Sequence, residues 1–86
     1  MPMQQAQARM FLAMLRREVD DLASGIESAE ADAVHARSDG NLTRHAELLV
    51  RAGALDRRMY EVHRMIARLQ MRFPDADADD LAPEPA

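Results

Sequence analysis

Apolar residues recur along the chain at alternating intervals of four and three. In the first half they are Ala8, Leu12, Leu15, Val19, Leu22, Ile26, Ala29, Ala33 and Ala36. In the second they are Leu48, Ala52, Leu55, Met59, Val62, Ile66, Leu69 and Phe73, with His45 continuing the series toward the middle of the chain. Such spacing gathers side chains into one stripe of an α-helix, the pattern of a coiled-coil seam. Neither run contains an internal proline. The pattern predicts a helix over about 3–38 and a second over about 42–73.

Between them stands Ser38-Asp39-Gly40-Asn41. Glycine ends a helix readily because it accepts a left-handed backbone, and Asn41 or Thr43 supplies an oxygen to cap the first amides of the next helix. The segment 39–41 is therefore expected to be a tight turn. Folding the chain back there pairs Ala8 with Phe73, Leu12 with Leu69, Leu15 with Ile66, Val19 with Val62, Leu22 with Met59, Ile26 with Leu55, Ala29 with Ala52 and Ala33 with Leu48. Every stripe position meets another. The expected fold class is all-α: an antiparallel two-helix hairpin, coiled-coil-like, completed to a four-helix bundle by dimerisation or by a partner.

Charges beside the stripe agree with this register, since Glu18 and Asp32 border the edge on which the second helix carries Arg44, Arg51 and Arg58. Ion pairs at the surface contribute roughly 0.2–1 kcal/mol each, so they select register and orientation more than they stabilise. After Phe73 the composition shifts to PDADADDLAPEPA. Proline stops the helix, and residues 74–86 read as a disordered acidic tail. Its aspartates lack the glycine and the closing glutamate of an EF-hand loop.

Composition narrows the function classes. The 86 residues include no cysteine, which excludes disulfides, thiolate metal sites and a cysteine nucleophile and points to the cytoplasm. No stretch approaches the roughly 20 apolar residues of a membrane span, and the N-terminus lacks the layout of a secretory signal. All 11 cations are arginine, which together with the abundant alanine suggests a GC-rich bacterial genome. With a net charge of −4 and no basic cluster interleaved with aromatics, nucleic acid is not an expected partner.

Three candidate chemistries arise from the residues. Asp32 and His35 have the acid-to-histidine interval that helical bundles use for metals, and His45 and His63 extend the candidate set. This makes a metal-binding bundle across a dimer the alternative reading, although Asp32 flanks the seam while His35 turns away from it. Leu15-Arg16-Arg17-Glu18-Val19-Asp20 resembles the opening helix of the small all-helical chorismate mutases. That family also needs a second arginine along the helix and a following lysine, and here Gly25 and a run of acids and alanines stand instead, so no catalytic residue is assigned. Phosphate loops, nucleophile elbows and His-Glu-x-x-His are absent from the sequence, and no cofactor is expected.

The remaining apolar residues point to association. Met10, Phe11, Met14, Met65 and Met71 lie off the stripe and gather toward the open end of the hairpin, with Leu49, Val50 and Tyr60 further along. Phe11 and Met65 are expected to pack together beside the seam, while unbranched methionines suit a surface that adapts to another helix. The sequence thus predicts a non-catalytic helical interaction or assembly module whose partner is protein, either a second copy or a different helical chain.

Overall fold

A computed structural model describes residues 2–76, with side chains from residue 4 onward. It contains two long α-helices, α1 (Pro2–Ser38) and α2 (Leu42–Arg72), packed against each other as an antiparallel hairpin. Proline at the first position of α1 costs nothing, because its missing N–H is one of the donors a helix start leaves unpaired. The described residues hold no strand.

The turn is built by its own hydrogen bonds. Gly40 adopts φ +78°, a left-handed conformation that side chains rarely take. This lets the Gly40 amide donate to the Arg37 carbonyl at 3.0 Å and the Asn41 amide to the Ala36 carbonyl at 2.8 Å. The pair forms the Schellman closure, which satisfies carbonyls that α1 leaves open. Asn41 then starts α2. Its side-chain oxygen accepts from the Arg44 amide at 3.1 Å, and its backbone carbonyl accepts from His45 at 3.0 Å. One residue closes the first helix while capping the second.

The core lies in the seam. Leu12, Leu15, Leu22, Val62 and Ile66 form its main buried cluster, with Val19, Leu55, Met59, Met65 and Leu69 packed on it. Toward the turn the large side chains give way to buried Ala29 and Ala52, then to a smaller cluster of Ala33, Ala36 and Leu48. A methyl group fills little space, so burial of alanines there requires the helix axes to run close. Gly25 is part of the same fit: a Cβ built on it would stand 3.2 Å from Leu55 Cδ1. Ile26 and Phe73, also expected in the seam, are half-buried.

At the far end α2 closes with the Phe73 amide donating to the Leu69 carbonyl at 2.7 Å. Residues 74–76 continue as one helical turn, in which the Ala76 amide reaches the Phe73 carbonyl at 3.1 Å and Ala76 is buried. Those three residues of the expected tail are ordered as a turn. The rest of it, residues 77–86, lies outside the described residues.

Candidate interaction surface

The ionic contacts across the seam are unequal. Arg58 grips Glu18, with Nε donating to Oε2 at 2.7 Å and Nη2 to Oε1 at 3.3 Å. The carboxylate, through these hydrogen bonds first and its charge second, holds the guanidinium above its ordinary pKa. Asp32, Arg44 and Arg51 share a polar groove with Ser28 and Glu47. Arg44 turns to Glu47 on its own helix, at 3.8 Å, and leaves Asp32. At i and i+3 the intrahelical partner is always in reach, whereas a cross-helix pair must also match the axial offset.

The metal candidates are scattered. Asp32, His35 and His63 are exposed, and no group of three His, Cys, Asp or Glu among the described residues is placed to hold a metal ion. His45 serves the hairpin: its Nδ1 donates to the Ala33 carbonyl at 2.8 Å, joining the start of α2 to the last turns of α1. This contact fixes the proton on Nδ1. No polar or charged side chain is buried among the described residues.

The hairpin also exposes large apolar side chains. Met10, Phe11, Met14 and Met71 are 51–86% exposed at the open end. Met65 differs from them because it packs onto the core cluster. Phe11, expected beside Met65, lines a small cleft with Ala8, Leu69 and Phe73. The stepped end of the seam explains this placement, since Ala8 is too small to fill the space opposite Phe73.

A second exposed group lies toward the turn, comprising Val34, Leu42, Leu49 and Val50, with Tyr60 further along α2. Leu42, Ala46 and Val50 line one shallow apolar depression with Thr43 and Glu47. Val34 and Leu42 were not singled out from the sequence. The signal was present: Leu42, Ala46, Leu49, Gly53, Tyr60 and Ala67 keep the four-and-three rhythm of the seam but on a neighbouring face of α2. Asp56 and His63 share those rows and obscure the pattern.

No known family model, curated protein or solved structure matches the chain. Among the described residues, no helix is long and apolar enough to cross a membrane.

Proposed function

We propose that the chain is a non-catalytic helical protein–protein interaction or assembly module of the cytoplasm, acting as a small adaptor, chaperone-like protein or regulatory subunit. Its partner is protein rather than nucleic acid, either a second copy or a different helical chain, and the association completes a four-helix bundle. The observation that carries this reading is the set of large apolar side chains, nine among the described residues, left exposed on a hairpin whose core is a single seam. One seam buries little for the length of chain it must order. Packing a second face against other helices removes that apolar surface from water, at roughly 25 cal/mol per Å².

The test is circular dichroism and sedimentation over a wide concentration range. The proposal expects either a helical oligomer whose melting temperature rises with concentration, or a poorly helical monomer that lacks its other half. A fully helical, stable monomer with a concentration-independent midpoint overturns it.

A further inference from the structure

The open half of the hairpin is basic. Residues 4–19 and 62–76 carry six arginines against Glu18 and Asp75. The chain that follows supplies the missing charge, since residues 77–86 hold four more acids, Asp77, Asp79, Asp80 and Glu84, and no cation. Taken together the two segments balance. A stretch so rich in charge buries too little to order itself. It does hold one large apolar side chain, Leu81.

The hairpin offers that side chain a place. Ala8 is too small to fill the space opposite Phe73, and the cleft this leaves is walled by Phe11, Leu69 and Phe73, with Gln7 and Arg72 beside them. Phe11 is 51% exposed and the other two are half-buried, so all three have apolar surface left uncovered. The Arg72 guanidinium stands 5.8 Å from the centre of the Phe73 ring. Apolar walls with a cation at their edge fit a leucine next to carboxylates.

The course of the chain brings the segment there. In the turn after α2 the Ala76 amide bonds back to the Phe73 carbonyl at 3.1 Å, and Ala76 is 1% exposed. The last described residue is thus packed in rather than directed into solvent. Leu81 follows it by five residues, a reach of up to roughly 17 Å when extended. Two packed helices stand only about 10 Å apart, so this reach spans the end of the hairpin. A short tether also holds the segment near the cleft at an effective concentration in the mM range, above that of ordinary free partners.

From these observations we infer that residues 77–81 fold back over the open end of their own chain. Leu81 enters the cleft between Phe11 and Phe73, and the Asp79 and Asp80 carboxylates face Arg72 and Arg68, one turn apart on α2. The inference goes beyond the interaction-module reading and stands without it. Where both hold, a partner reaches Phe11 only by displacing the segment, while Leu42, Leu49 and Val50 near the turn stay open to it.

Nitrogen relaxation and chemical shifts of the 86-residue chain test this. In the docked segment the Leu81 amide has an order parameter above about 0.6, toward the roughly 0.85 of rigid backbone. Leu81→Ser is expected to bring residues 77–81 below about 0.6. It should also shift the signals of Phe11, Leu69 and Phe73 while leaving Gly40 and Asn41 in place. Asp79→Asn combined with Asp80→Asn moves the cleft signals in the same direction. So does salt raised to about 1 M, where charges are screened beyond roughly 3 Å. The substituted residues lie outside the seam, so helicity by circular dichroism stays unchanged.

Adding unlabelled wild-type chain to labelled Leu81→Ser chain separates a chain's own segment from a neighbour's. Cleft signals that return toward their wild-type positions in the mixture show the segment crossing between copies and overturn the inference. A Leu81 order parameter below about 0.6 in the wild-type chain overturns it too, as do cleft signals that Leu81→Ser leaves unmoved. None of the three decides the module reading, which rests on oligomeric state and helicity.

Discussion

Leu55 Cδ1 occupies the space that a side chain on Gly25 would need, 3.2 Å from the position of its Cβ. The two residues set how closely the helices run midway along the seam. Gly25→Val forces Leu55 or the backbone aside, which outweighs the small gain in helix propensity over glycine. The expected loss is about 1–3 kcal/mol, several degrees of melting temperature in a domain this small. Thermal melts read by circular dichroism check it, and an unchanged midpoint would show that the helices tolerate a wider separation there.

The Glu18–Arg58 pair is bidentate but exposed. A double-mutant cycle with Glu18→Gln and Arg58→Met is expected to return a coupling of about 0.3–1 kcal/mol, shrinking as salt is raised. Because the pair selects register, exchanging the two as Glu18→Arg with Arg58→Glu should restore most of what either single reversal loses. Failure of the exchange would mean that neighbouring charges, Glu61 first among them, govern the contact.

The turn concentrates backbone requirements in two residues. Gly40→Ala must hold a side chain at φ +78° and is expected to cost about 1–2 kcal/mol. Asn41→Ala removes the oxygen that caps the Arg44 amide, at about 1 kcal/mol. Denaturant midpoints of the two single variants measure both. Asn41→Ser, which keeps a capping oxygen, should recover most of the second loss.

His45 supplies the contact that ties the start of α2 to α1. His45→Ala is expected to cost about 0.5–1.5 kcal/mol through loss of the bond to the Ala33 carbonyl. The contact requires the hydrogen on Nδ1, because the carbonyl oxygen can only accept. Nitrogen chemical shifts of the ring report the tautomer. A proton on Nε2 alone would contradict the arrangement.

Core truncation separates the seam from the outer surface. Leu12 is 1% exposed and Met71 86%. Leu12→Ala is expected to cost about 2–5 kcal/mol, whereas Met71→Ala should fall within about 0.5 kcal/mol under conditions where the chain is monomeric. Equal effects at the two sites would place Met71 in a buried environment that a single hairpin does not provide.

Much of the fold is legible in the residue pattern because its determinants are local. Helical periodicity sorts Leu12, Leu15, Val62 and Ile66 into one stripe whatever the rest of the chain does. Gly40 and Asn41 carry the turn in their own conformational and capping preferences. A fold-back at that point leaves little choice of register, since a slip along the seam would misalign every layer between Leu22–Met59 and Ala33–Leu48.

Side chains at the edge were decided by tertiary structure, because their fate depends on distances between helices that no spacing rule contains. Arg44 and Arg51 were legible as partners for Asp32, yet only the assembled hairpin shows that Arg44 reaches Glu47 instead. Phe11 and Met65 occupy equivalent positions beside the seam, and one stays half out in a cleft while the other joins the core. His45 appears in the sequence as a step of the stripe or a metal candidate, and the fold spends its ring on a carbonyl of the facing helix. Periodicity assigns a residue to a side of its own helix. What meets it there is set by the axial offset and separation of two helices, which emerge only when all the layers pack at once.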